Sequence, residues 1–361
     1  GYVEPVLFAT AAGMVIERWW EEYLAPFHRR AVVQAHEWMT GAALLYLQER
    51  IPSIGTVFTT HATMLGRSLA SLGITPDASG TDKGLGGKTA EELARQHGVQ
   101  AKHSIEGVCA RKADVFTTVS AITAAEAELL HQRKAEPLLP NGIDLSVVDE
   151  LAAGDRNVTR RELERVAKAV LGEDVADAAF IALAGRYEFH NKGIELLLDA
   201  MGKMQANKGR RLVAFLLVPA GNSGARAELL DRLAGAAAHG PIGLCTHNLF
   251  DEEHDPVHAH CKRLGIDNRL GSRVKVVQIP IYLRPDDGLF GREYEAVLAA
   301  MDLGVYPSFY EPWGYTPQES LAVGVPTITT DLAGFGRWAV AAGLGARDGI
   351  TVIKRERVPY P

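Results

Sequence analysis

Two carboxylates eight residues apart, Glu311 and Glu319, stand in the stretch 306–330, YPSFYEPWGYTPQESLAVGVPTITT. Glu311 leads into Pro312-Trp313-Gly314-Tyr315, a turn-rich loop that follows an apolar run. Thr316-Pro317-Gln318-Glu319 then reads as a helix start, with a hydroxyl N-cap, a proline in the first turn and a glutamate three residues after the cap. A helix N-terminus offers N–H groups and the positive end of the dipole, which suits a diphosphate. A carboxylate in the loop before it can accept charge-assisted hydrogen bonds from sugar hydroxyls. For Glu319 a capping box accounts for the residue as well as ligand binding does. Glu311 has no comparable structural duty.

A second concentration is Gly185-Arg186-Tyr187-Glu188-Phe189-His190-Asn191-Lys192-Gly193, directly after the apolar run FIALA. Arg186 and Lys192 can clamp phosphate oxygens, the first as a fork and the second as a point charge. Standing alone, they would read first as two exposed surface cations. In the first half, His36-Glu37-Trp38 follows one candidate strand, and His61 and Arg67 follow another. A strand-end histidine by itself more often serves as a structural hydrogen-bonder than as a catalyst.

Something must hold these groups together. Short apolar runs at 31–35, 56–60, 115–119, 180–184, 212–218, 274–279, 303–306 and 327–330 read as strands. They are continuous rather than alternating, the pattern of parallel strands buried on both faces. Helical patterns at 121–131, 194–205 and 225–236 lie between them, giving βαβ units and a doubly wound α/β fold. The rhythm pauses at about 144–177, which is charged and helical. Two domains are therefore expected, 1–175 with a helical hinge at its end and 176–361, with the cleft between them as the active site. A length of 361 residues fits two domains of roughly 150 each.

Composition narrows the function. Apolar residues at 47% and charged residues at 23% exclude a disordered or collagen-like chain. A net charge of -6 gives no overall basic surface, so nucleic acid is not an expected partner. No apolar run approaches a membrane span and no basic-then-apolar leader opens the chain, so no membrane role is expected. Cys109, Cys245 and Cys261 cannot all pair, which favours a reducing, cytoplasmic setting.

Long strings then carry a specific resemblance: FTTHATMLGR at 58–67, FTTVS at 116–120, PNG at 140–142, AGRYEFHNKG at 184–193, CTHN at 245–248 and YEPWGYTPQE at 310–319. In this order, over nearly the whole chain, they resemble the glycogen synthases of the UDP-glucose-using animal, fungal and bacterial type. The resemblance implies a GT-B fold, two Rossmann-like doubly wound domains facing across a cleft. It implies transfer of glucose from UDP-glucose to the non-reducing end of an α-1,4-glucan with retention, in a homo-oligomer, with no metal or other cofactor. Arg186 and Lys192 then match the diphosphate-binding pair, Glu311 the carboxylate near the donor glucose and Glu319 the one near the ribose. Tyr282 and Tyr294 match two aromatics around the uracil. His61 and Arg67 match first-domain residues that face the donor. Gly314, Tyr315, Thr316, His247 and Asn248 fall in its substrate-binding loops. Other readings are a related retaining transferase using ADP-glucose, or one of the sucrose or trehalose type, and a non-catalytic nucleotide-sugar or glucan binder. Against that family, the chain is expected to be truncated at both ends: it lacks the glycine-rich lysine loop near its start, the closing helices, and the arginine-rich helix that senses glucose 6-phosphate.

Three motifs are set aside. Gly84-Leu85-Gly86-Gly87-Lys88-Thr89 imitates a P-loop, but Asp82 stands where the required glycine would be; a loop entering a helix near Thr89 is expected instead. Cys245, His247, His254, His258, His260 and Cys261 fit no usual zinc spacing, and 254–260 reads as a solvated loop. Trp19 and Trp20 read as core or subunit contact on an amphipathic helix.

Overall fold

A computed structural model describes residues 1–74 and 87–355. The chain divides into two compact units, Gly1–Asn141 and Gly142–Pro361. The sequence reading placed this boundary near 175. The helices Leu145–Leu151 and Arg156–Leu171 lie instead in the second unit. The reason is packing: Leu163, Val166 and Val170 join the same buried cluster as Phe180 and Phe215. Arg160 fixes the join by donating to the carbonyls of Ala178 and Ala300 and to Asp302, with its guanidinium 3.5 Å from the Phe180 ring centre.

In the first unit β1 (Val32–His36), β2 (Gly55–Thr60) and β3 (Val115–Thr118) form a parallel sheet in that order. Phe58 and Phe116, opposite each other in register, stack at 5.9 Å and anchor the core under the helices Glu37–Arg50 and Gln100–Lys112. Trp20 packs against Leu47, Ile51 and Ile54, while Trp19 is exposed.

The second unit holds β4 (Ala179–Ala184), β5 (Leu212–Leu217), β6 (Asn222–Ala225), β7 (His247–Leu249), β8 (Val274–Ile279), β9 (Leu303–Tyr306), β10 (Thr327–Thr330) and β11 (Ile350–Ile353). Six of them make a parallel sheet ordered β11-β10-β9-β4-β5-β8, and β6 pairs antiparallel with β7. Successive β4 residues serve two buried clusters, Phe180, Ala182 and Ala184 on one face, Ile181 and Leu183 on the other. This two-sided burial is why the strand reads as an unbroken apolar run. All eight expected strands form within one residue at each end; β6, β7 and β11 were not foreseen.

Two local expectations are corrected. The segment 254–260 is not a solvated loop: Asp255 caps a helix, Pro256–Leu264, whose Val257 and Cys261 are buried and whose His260 bonds Asp199 at 2.8 Å. The helix expected at 225–236 is shorter, Ala227–Leu233. Thr89 does cap a helix, Ala90–Gln96, with a capping box to Glu92; residues 84–86 of the P-loop look-alike lie outside the described residues. Among the described residues no helix is long and apolar enough to cross a membrane.

All three cysteines are buried and unbonded, and burial pushes each thiol up to about 12. The thiolate is the reactive form. Native protein is therefore expected to show no fast-reacting thiol toward Ellman's reagent, and three after unfolding. One rapid equivalent before unfolding would contradict this packing.

Candidate active site

Chain order places the site. From central β4 the chain runs outward to β5 and β8, then returns to β9 on the other flank of β4 before β10 and β11. Where strand order reverses, the loops leaving the carboxyl ends diverge and leave a crevice for a ligand. The segment 185–193 leaves β4 there, and 307–314 leaves β9.

The two loops are tied to each other. The Phe309 N–H donates to the Asn191 carbonyl at 2.9 Å. Gly193 caps the helix Ile194–Gln205 with φ +66°, and a Cβ there would run into the Pro307 carbonyl. Only glycine meets both demands. At this junction the Lys192 ammonium donates to the Glu311 carboxylate, and their side chains are only 10% and 15% exposed. The Glu311 backbone is pinned as well: its carbonyl accepts from the Gly334 N–H at 3.0 Å. Its position at the switch point makes this water-shielded lysine–carboxylate pair a candidate for meeting a polar ligand.

The helix that follows runs Tyr315–Ala322 and is capped by Gly314 at φ +97°, with no side-chain cap. Thr316 is thus its second residue and not its N-cap, and no capping box involves Glu319. The cause is local: a left-handed glycine starts the helix two residues early, so the Thr-Pro-Gln-Glu pattern falls inside it. The structural duty that competed for Glu319 is gone. Its carboxylate instead accepts from the Tyr294 hydroxyl at 3.3 Å. Burial raises the Glu319 carboxyl above the ordinary range, opposed by the bond from Tyr294 and by Lys192. Burial likewise raises the Tyr294 hydroxyl, so it remains a donor.

Glu319, Tyr294, Tyr282 and Thr316 line a cavity of about 280 Å³ with Gly185 and the apolar Leu217, Ile281 and Leu283. Tyr282, largely exposed, also borders a second cavity of about 510 Å³ formed with Asn222, Arg284, Asp286 and Asp287. A flat apolar wall beside two aromatics and a carboxylate is suited to a base and its sugar.

Other expected residues stand apart. Arg186 points to a surface pair with Glu188 at 2.7 Å, its side chain 61% exposed, and borders neither cavity. Its i+2 partner is close enough to compete with any ligand. His247 opens antiparallel β7; its Nδ1 shares a hydrogen bond with the Thr246 hydroxyl at 2.8 Å, and burial lowers its affinity for a proton. Asn248 is exposed, and neither residue borders the two cavities. Tyr315 is partly exposed at the first turn of its helix.

In the first unit, His61 follows β2 and Arg67 lies exposed on the helix Met64–Ala70. His61 Nε2 and His36 Nδ1 share a hydrogen bond of 3.0 Å, and the His61 N–H donates to Glu37 at 2.9 Å. Glu37 has φ +66°, and burial pushes its carboxyl up to about 7. Nothing in the sequence pattern marks Glu37 beyond its place after a strand.

A family model described as glycogen synthase matches residues 8–237 and 236–357. The chain belongs to the glycogen synthase family. It is 31% identical over 375 residues to glycogen [starch] synthase isoform 1 of Saccharomyces cerevisiae, covering 84% of this chain and 52% of that protein. To the liver glycogen [starch] synthase of Homo sapiens it is 31% identical over 369 residues, covering 84% and 51%. The chain thus spans about half the length of the curated relatives it matches. Its fold resembles an α,α-trehalose-phosphate synthase (UDP-forming) from Burkholderia vietnamiensis, with a TM-score of 0.55 at 12% identity over 96% of this chain and 67% of that one. The N-terminal domain of a Candida albicans trehalose-6-phosphate phosphatase gives a TM-score of 0.53 at 11% identity, covering 96% and 63%. The parallel-sheet α/β fold is that of GT-B glycosyltransferases.

Proposed function

We propose that this glycogen synthase family chain transfers glucose from UDP-glucose to the non-reducing end of an α-1,4-glucan, with retention. The observation that carries the reading is the buried Lys192–Glu311 pair at the switch point, one helical start away from the cavity that Glu319 and Tyr294 share.

In this reading the uracil lies against Tyr282 and Tyr294, and Glu319 accepts from ribose hydroxyls. The diphosphate meets Lys192 and the N-terminal turn of the helix Tyr315–Ala322. Arg186 joins it by leaving Glu188. As the bond from the anomeric carbon to UDP breaks, negative charge grows on the β-phosphate, and Lys192, Arg186 and the helix's first turn stabilise it. The acceptor 4-hydroxyl attacks from the same face, and its proton passes to the departing phosphate oxygen. Glu311 orients the glucose and stabilises positive charge at the reacting carbon. His61 and Arg67 are assigned to substrate binding by their match to the family's motif.

The deciding measurement is glucose incorporation into primed glycogen with UDP-glucose and, separately, ADP-glucose, alongside a calorimetric titration with UDP. Incorporation from UDP-glucose supports the reading. Preference for ADP-glucose overturns the donor, and tight UDP binding without incorporation by folded protein identifies a binder instead.

A further inference from the structure

We infer that His103, Glu106 and His131 form a binding site for a zinc-type divalent cation inside the first unit. One ring nitrogen from each histidine and one Glu106 oxygen lie within 4.8 Å of one another, and all three residues are buried. The site is far in sequence from the carboxylates and cations assigned above and uses none of them.

The placement follows from the elements. His103 and Glu106 are three apart on the helix Gln100–Lys112, so they share a face. His131 is the last residue of the helix Ala121–His131, and its ring stacks on that of His103 at 4.8 Å. His131 Nε2 bonds Glu106 at 2.8 Å. Among the described residues, His103 Nδ1 and His131 Nδ1 are buried without a hydrogen-bond partner. A buried polar atom left unpaired is costly, and two such atoms on histidines clustered with one carboxylate point to something that the protein's own groups do not supply.

The donor set selects the ion. Two imidazoles and a carboxylate suit zinc and its first-row neighbours, whereas calcium and magnesium take all-oxygen sites. Zinc holds such donors about 2.0–2.2 Å away and so about 3.5 Å from each other; rotation of the side chains closes the set. The carboxylate is pre-oriented: Glu106 accepts from the Thr60 hydroxyl at 2.9 Å and from the Met64 N–H at 3.0 Å. Supports of this kind hold metal-binding carboxylates in place. They also tie the cation to the 60–64 turn that carries His61.

The test uses the whole chain, stripped with a chelator and titrated with zinc alone by calorimetry. One equivalent is expected to bind. Both His131→Leu and His103→Gln are expected to weaken it by more than the roughly 100-fold that loss of a mere supporting group can cost. Native circular dichroism and protected thiols qualify each variant as folded. On the wild type alone, cobalt is expected to give tetrahedral visible bands without a thiolate charge-transfer band. Failure of the folded wild type to bind zinc, full binding by both variants, or a thiolate band would each overturn the inference, leaving the cluster as a hydrogen-bonded support for the turn.

Discussion

Glu311→Gln is expected to lower glucose incorporation by about 100- to 1000-fold, the usual cost of removing one pre-placed electrostatic partner of the transition state, while UDP binding changes only a few-fold. Glutamine keeps the shape and a hydrogen-bond acceptor but not the charge. In the resting site that charge faces Lys192, shielded from water by the two loops. In the proposed reading, a bound diphosphate would compete for Lys192 and release the carboxylate toward the sugar, making the pair a switch of partners rather than a fixed brace. Lys192→Met should then lose UDP affinity as well as turnover. It also leaves Glu311 partly buried without its partner, a change that can cost about 3–5 kcal/mol of stability. Combining Lys192→Met with Glu311→Gln should restore most of that stability and none of the activity. Turnover near the wild-type rate in Glu311→Gln would remove Glu311 from the chemistry. A trapped glucosyl ester on Glu311 would make it a nucleophile and replace same-face attack.

How much of this was legible before the coordinates depends on what each residue type can signal. Strands buried on both faces read as apolar runs, so β4 and β5 announced themselves, and β8 did so despite its buried Lys275 and Gln278. The sequence of β6, Asn-Ser-Gly-Ala, has no such burden, and it becomes a strand only because β7, more than twenty residues on, pairs with it. The helix carrying Glu319 was foreseen, but its start was misread. A Thr-Pro-x-Glu pattern is a good cap only if the backbone before it is extended, and Gly314 turns the chain earlier. Lys192 and Glu311 were both named from their strand ends, yet their pairing spans 119 residues and is a product of strand order alone. Arg186 shows the reverse limit. Spacing put it beside Lys192 in sequence, and a neighbouring Glu188 took its side chain to the surface. The cluster of His103, Glu106 and His131 was legible only in half, as a His-x-x-Glu step on one helix; the third member comes from another helix end.

Glu37→Gln is expected to make the protein more stable than the wild type at pH 8 and to lose that advantage by pH 4. The carboxyl of Glu37 is raised to about 7 from 4.5, chiefly by burial, with Glu106 adding to the shift and the His61 and Ala62 N–H groups and Arg67 opposing it. A raised carboxyl means that the folded chain binds the proton more tightly than the unfolded one. Its contribution is complete below pH 4.5 and is lost as the pH climbs through 7, a swing of about 3 kcal/mol at about 1.4 kcal/mol per unit. Glutamine cannot ionise, so it keeps the acceptor for His61 without that loss. Comparing variant and wild type at each pH isolates this group from the histidines. His61, His103 and His247 have lowered proton affinities and destabilise the fold in the opposite direction, as the pH falls below 6.5. Unfolding midpoints measured from pH 4 to 8 read the difference directly; a variant that tracks the wild type in parallel across the range would show that Glu37 does not titrate there. The backbone explains why a carboxylate of this kind is tolerated. At φ +66° a glutamate sits in the left-handed region at a cost of about 1 kcal/mol or more, and the return is a side chain aimed at the His61 N–H. Strain and a half-charged carboxyl at one strand end are expected where position matters more than stability. The Gln variant should accordingly leave the His61 turn in place.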